Sequence, residues 1–127
     1  MTKKPLIMIV EDDPSSLMLA TAALESDGFD VDGEGSAEQA RYAIATRKPA
    51  LILMDIGLPG MDGLDFTKEL RSSSQTAAIP IVALTANNMP LYERAAKAAG
   101  CDGFIAKPVS PAVLTAAVRD YLHRGKR

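Results

Sequence analysis

Four polar positions in this chain each follow a short apolar run. Glu11-Asp12-Asp13 follow Leu6-Ile7-Met8-Ile9-Val10, and Asp55 follows Leu51-Ile52-Leu53-Met54. Thr85 follows Ile81-Val82-Ala83-Leu84, and Lys107 follows Phe104-Ile105-Ala106. Gathered in one place, Glu11, Asp12, Asp55, Thr85 and Lys107 would supply three carboxylates, a hydroxyl and an ammonium. Magnesium takes octahedral oxygen coordination from one or two carboxylates, waters and phosphate oxygens. Asp12 and Asp55 are candidate direct ligands, Glu11 is long enough to act through a bound water, and the backbone carbonyl of Gly57 could complete the protein's share. A carboxylate can also attack phosphorus to give an aspartyl-phosphate. Asp55 stands alone at the end of its run, so it is the candidate nucleophile. Lys107 would neutralise charge on a phosphoryl group, and Thr85 would hydrogen-bond one of its oxygens. Three carboxylates held together repel one another, so at least one pKa should rise.

Such convergence requires the elements to be arranged in one way. Apolar runs of strand length alternate with segments of helical period. Strands are expected near 5–11, 29–34, 50–55, 80–85 and 103–107, and helices near 14–27, 37–47, 63–73, 89–99 and 111–123. Asp13-Pro14 and Ser110-Pro111 each place a capping residue before a proline at the first helical position. Ser36-Ala37-Glu38-Gln39 has capping-box spacing, and Asn88 can cap the fourth helix. Gly28 and Gly100 follow the first and fourth helices, where C-terminal caps fall. Leu114, Ala117, Val118 and Tyr121 form one apolar face on the last helix.

Alternating strands and helices imply right-handed crossovers and a parallel sheet covered on both faces. The first, third and fourth strands are nearly continuous apolar runs, as inner parallel strands are. The second, Phe29-Asp30-Val31-Asp32-Gly33-Glu34, alternates and carries acids, which places it at an edge. The expected architecture is an α/β, doubly wound parallel sheet of order 2-1-3-4-5. Its switch point lies between strands one and three, where Glu11, Asp12 and Asp55 would meet.

Composition narrows the function classes. The 127 residues suffice for one domain, expected over 1–127, with a core at about 5–123 and a frayed basic end at 124–127. Hydrophobic residues make up 47%, enough for a packed core. The net charge of -2 lacks the basic footprint of a nucleic-acid-binding surface, so no nucleic-acid partner is expected. No apolar stretch approaches a membrane span, and no signal-peptide core precedes the first strand. The single cysteine, Cys101, allows no intrachain disulfide and fits a reducing, cytoplasmic setting. It is read as a small packed turn residue, and His123 as a solvated residue at a helix end.

The motifs Ile9-Val10-Glu11-Asp12-Asp13, Met54-Asp55-Ile56-Gly57-Leu58-Pro59-Gly60-Met61-Asp62-Gly63, Leu84-Thr85-Ala86 and Ala106-Lys107-Pro108 resemble the receiver domain of two-component response regulators, in particular single-domain, chemotaxis-regulator-like forms. The resemblance covers essentially the whole chain. It implies a flavodoxin-like (βα)5 fold. It implies that Asp55 accepts a phosphoryl group, with Mg2+, from a phosphohistidine on a histidine kinase or histidine phosphotransfer protein. Glu11 and Asp12 become the acidic metal-binding pair, and Thr85 and Lys107 the switch and phosphate-contacting residues. Lys107-Pro108 is expected to be cis. Phe104 stands where many relatives carry a switch aromatic, often tyrosine, and keeps the ring without the hydroxyl. Gly57, two residues after the acceptor, has no side chain to position an attacking water.

The resemblance therefore points to a phosphoacceptor switch with self-catalysed phosphotransfer and slow autodephosphorylation, not to an enzyme with multiple turnover. Phosphorylation would draw Thr85 inward, and Phe104 would follow. The face made by the fourth helix, fifth strand and fifth helix would change shape and meet a downstream protein. Three other readings compete. A magnesium phosphatase with an aspartyl nucleophile would place a second aspartate at position 57, which is glycine. A flavin-binding module would not put Glu11-Asp12-Asp13 where a phosphate must sit. A phosphorylation-independent interaction module would not need the full set of site residues.

Overall fold

The computed structural model describes residues 4–56, 63–86 and 90–125. Five strands and five helices alternate along the chain: β1 Leu6–Val10, α1 Pro14–Ser26, β2 Asp30–Glu34, α2 Ala37–Thr46, β3 Leu51–Asp55, α3 Gly63–Ser72, β4 Ile81–Thr85, α4 Pro90–Ala99, β5 Gly103–Ala106 and α5 Pro111–Gly125. All strand pairs are parallel and the sheet order is β2-β1-β3-β4-β5. This is the expected flavodoxin-like order, with the acidic second strand at an edge.

The strand period of two divides the core into two layers. Met8, Val10, Ile52, Met54, Ile81 and Ala83 face α2, α3 and α4, where they meet Ala40, Phe66, Leu70 and Ala96. Ile7, Ile9, Leu51, Leu53, Val82 and Leu84 face α1 and α5, where they meet Leu24, Leu114 and Val118. Strands β1, β3 and β4 are buried along their whole length, whereas β2 is only partly covered. Phe66 has no exposed surface. Truncating such a side chain to alanine costs ~3–5 kcal/mol.

Local signals set the helix ends. The Asp13 carboxylate accepts hydrogen bonds from the Ser16 amide at 3.0 Å and the Ser16 hydroxyl at 2.7 Å, and Pro14 opens α1. These bonds hold the Asp13 carboxyl below its ordinary pKa. Ser36 accepts from the Gln39 amide at 3.2 Å, and Ser110 from the Val113 amide at 3.2 Å. Gly28 and Gly100 adopt φ of 94° and 113°, the left-handed conformation that suits glycine after a helix. The expected Asn88 cap lies outside the described residues.

The last helix departs from expectation. It continues through Arg124 to Gly125 instead of fraying after 123. The Arg124 guanidinium pairs with Asp120 one turn earlier at 2.8 Å and lies 4.9 Å from the Tyr121 ring centroid. Both contacts favour continuing the helix. Among the described residues, no helix is long and apolar enough to cross a membrane.

Candidate phosphoacceptor and metal site

The candidate residues sit at the carboxyl edge of the sheet because each directly follows or ends a strand. Glu11 and Asp12 follow β1, Asp55 ends β3, Thr85 ends β4 and Lys107 follows β5. The backbone fixes these positions. The Glu11 amide donates to the Glu34 carbonyl at 2.9 Å, the Ile56 amide to Leu84 at 3.1 Å, and the Lys107 amide to Thr85 at 2.7 Å. The Lys107-Pro108 peptide is cis, as expected.

Carboxylate oxygens of Glu11, Asp12 and Asp55 lie within 4.8 Å of one another. That spacing and the all-oxygen donor set fit a small hard cation, with Asp12 exposed to receive it from solvent. Gly57, the expected carbonyl donor, lies outside the described residues. Glu11 and Asp55 are nearly buried, at 3% and 8% exposure, and Thr85 is 5% exposed. Polar groups so placed at a sheet edge require partners.

Lys107 supplies one. Its ammonium donates to Glu11 Oε1 and lies 3.6 Å from Asp55 Oδ2. The other Glu11 oxygen, Oε2, accepts from the Asp13 amide at 3.3 Å. Burial and then a hydrogen bond with Asp55 push the Glu11 pKa up to about 7, against the opposing pull of Lys107. The direction is the one expected, but burial, not repulsion among the carboxylates, is its main cause. Burial works against the charged Lys107, but Glu11 and Asp55 outweigh it and hold its pKa above the ordinary value. Phe104 packs half-buried against the α2-α3-α4 layer. It lies opposite Ala83, one alternation before Thr85, so the ring and the hydroxyl-bearing residue share a sheet face.

Two further polar clusters escaped the sequence reading. Arg71 on α3 donates to the carbonyls of Gly100 at 2.8 Å, Ile79 at 2.6 Å and Ala77 at 3.0 Å, and to Asp102 Oδ2 at 2.8 Å. Asp102 in turn accepts from the Ile81 amide at 2.8 Å, so the pair clasps the start of β4. On β2, hydrogen bonding to Asp32 and then burial push the Glu34 pKa up to about 7. Two acids spaced i, i+2 on an edge strand, and so on one face, were the available signal. Cys101 is buried, and burial raises its thiol pKa, in keeping with a packed turn residue. His123 is exposed in the last turn of α5.

Comparison with known proteins adds an independent line. The family model of the response regulator receiver domain matches residues 7–119. The chain is 37% identical to the DNA-binding response regulator MtrA of Mycolicibacterium smegmatis over 125 residues, which is 98% of this chain and 54% of that protein. The BeF3-activated N-terminal receiver domain of Klebsiella pneumoniae RstA superimposes with a TM-score of 0.84 at 38% identity, covering 92% of this chain and 97% of that one. The chemotaxis response regulator CheY4 of Vibrio cholerae superimposes at 0.89 with 25% identity, covering 94% of this chain and 99% of that one. The chain thus spans about half the length of the curated relatives it matches.

These relatives correct the partner expectation. Nucleic acid was excluded on a net charge of -2, yet MtrA is named as DNA-binding. A basic footprint belongs to the surface that touches the nucleic acid. The charge of a receiver-like span says nothing about a partner engaged by another part of such a protein.

Proposed function

The chain belongs to the response regulator receiver domain family, a signalling family, and from that premise we propose that it is a phosphoacceptor switch that takes a phosphoryl group onto Asp55 in a magnesium-dependent reaction. The observation that carries the reading is the gathering of Glu11, Asp12 and Asp55 within 4.8 Å, with the Lys107 ammonium 3.6 Å from Asp55.

Glu11, Asp12 and Asp55 would hold the cation. When bound, Mg2+ supplies positive charge that offsets the carboxylates and the incoming phosphoryl oxygens. The protein's own residues do the rest. An Asp55 carboxylate oxygen forms the new P–O bond as the P–N bond to a donor phosphohistidine breaks. The imidazole leaves with the electron pair and takes up a proton from solvent. Lys107 lies within reach of the charge that accumulates on the phosphoryl group. The Thr85 hydroxyl, at the end of the neighbouring strand, donates to a phosphoryl oxygen.

Phosphorylation then shifts a two-state population. Thr85 moves toward the new oxygens, Phe104 follows it, and the surface of α4, β5 and α5 takes up its other conformation. Slow autodephosphorylation returns the resting state, and no multiple turnover on phosphate esters is expected.

Incubation with acetyl phosphate and Mg2+, read by intact mass, tests the reading. The wild type gains one phosphoryl group, and both EDTA and Asp55→Asn abolish the gain. Equal gain in Asp55→Asn overturns the assignment. Steady hydrolysis of p-nitrophenyl phosphate would instead favour the phosphatase alternative.

A further inference from the structure

A cleft runs between α1 and α5, and the proposed phosphotransfer uses none of its apolar part. Its volume is about 480 Å3, inside the ~300–1,000 Å3 range of small-molecule sites. Ile9 and Leu84 form the floor, Ala20 and Ala23 of α1 one wall, and Leu114 of α5 the other. We infer that this cleft binds a neutral aromatic molecule bearing a carboxamide, with the ring between the two helices and the amide against Glu11 and Lys107.

The cleft follows from how the helices pack. Ile9, Leu84 and Leu114 belong to the buried layer beneath α1 and α5. Opposite Leu114, α1 offers only the methyl groups of Ala20 and Ala23, which fill little of the space between the helices. At the far end the helices are tied, because Arg119 Nε donates to Asp27 Oδ2 at 2.7 Å. Leu19 stands at the rim and is 71% exposed, apolar surface that a bound ring would cover.

The polar end sets the chemistry of the occupant. Glu11, Ser16 and Lys107 line it, at the carboxyl edge of the sheet. The Lys107 ammonium carries three protons and gives one to Glu11 Oε1. Each Glu11 oxygen accepts one hydrogen bond, Oε1 from Lys107 and Oε2 from the Asp13 amide, and each has a second lone pair. The Ser16 hydroxyl donates to Asp13 at 2.7 Å and so offers only acceptance. A ligand anion would meet the nearly buried Glu11 carboxylate, and a ligand cation would meet Lys107. A carboxamide satisfies both. Its carbonyl accepts from Lys107, and its N–H groups donate to Glu11 and Ser16.

Titration of the 15N-labelled full chain with 2-naphthamide, followed by amide resonances, tests this. EDTA is present, so that no divalent cation occupies Glu11. The amides of Ala20, Ala23 and Leu114 should shift together and saturate with one midpoint. At pH 7, 2-naphthoate and 2-naphthylmethylamine carry the same ring with a negative and a positive charge. Both should bind about fivefold or more weakly, the low end of the cost of a mismatched buried polar group. Equal affinity for the three probes overturns the amide assignment. Shifts that never saturate, or that centre on residues outside the cleft, overturn the site itself. Ala20→Leu, which fills the cleft, should abolish binding, and unchanged affinity in that variant also overturns the site. A second arm needs no substitution. Intermolecular nuclear Overhauser effects should join the naphthyl protons to the methyl groups of Ala20, Ala23 and Leu114 in the wild type, and their absence at saturation contradicts the inference.

Discussion

Gly63 stands so close to the Asp55 main chain that a Cβ on it would lie 2.4 Å from the Asp55 carbonyl oxygen and 2.8 Å from Ile56 Cα. Both obstructing atoms are backbone, so neither can rotate away. The first residue of α3 is therefore packed against the strand end that presents the proposed phosphoacceptor. Gly63→Ala should lower stability by ~1–3 kcal/mol, the usual cost of overpacking, and should slow phosphorylation by acetyl phosphate because Asp55 is displaced. Urea denaturation and phosphorylation rates check the two effects. A variant matching wild type in both would show that this close approach constrains nothing.

The Arg71-Asp102 clasp should matter far more than the surface ion pairs. Arg71 satisfies three carbonyls besides Asp102, and Asp102 holds the first amide of β4. Arg71→Met strips all of these acceptors at once. A loss of ~2–4 kcal/mol is expected, the scale of partly buried acceptors left without their charged donor. The Arg119-Asp27 pair between α5 and the end of α1 has an exposed guanidinium. Arg119→Met should cost under about 1 kcal/mol. Equal losses in the two variants by urea melts would contradict this ranking.

The acidic pair on β2 makes stability depend on pH. Glu34 titrates near 7 in the folded protein and near its ordinary 4.5 when unfolded. Between those values the folded state retains a proton that the unfolded state has lost. Stability from this group is thus full below about 4.5 and falls as pH rises through 7. Glu34→Gln cannot ionise and should lose less stability over that window. Melting temperatures should show the variant gaining on wild type more at pH 8 than at pH 5. Glu11 acts with the same sign in both proteins, so the comparison isolates Glu34. An equal difference at the two pH values would show that Glu34 ionises normally in the fold.

The arrangement of the sheet was legible because burial writes itself directly into strand composition. β1, β3 and β4 are apolar on both faces and lie inside, whereas β2 carries Asp30, Asp32 and Glu34 and lies at the edge. The gathering of Glu11, Asp12 and Asp55 followed from strand order alone, since each comes at the carboxyl end of an adjacent strand. What stayed hidden depends on side-chain reach across long sequence separations. Arg71 finds Asp102 and three carbonyls only after α3 and the α4-β5 turn have packed. The choice of Lys107 between Glu11 and Asp55 is likewise a matter of ångströms that no spacing rule encodes. The extension of α5 to Gly125 turned on Arg124 finding both Asp120 and Tyr121 one turn back. The nucleic-acid exclusion failed for a different reason, because net charge describes only the residues counted, and a relative of about twice this length is named DNA-binding.

Covalent mapping tests the central claim most directly. The protein is treated with acetyl phosphate and Mg2+, reduced with borohydride to trap any acyl phosphate, and sequenced by tandem mass spectrometry. The account predicts reduction confined to Asp55 and dependent on Mg2+. Reduction at Asp12 or Asp13 instead, or at no residue while the wild-type fold is intact, would contradict it.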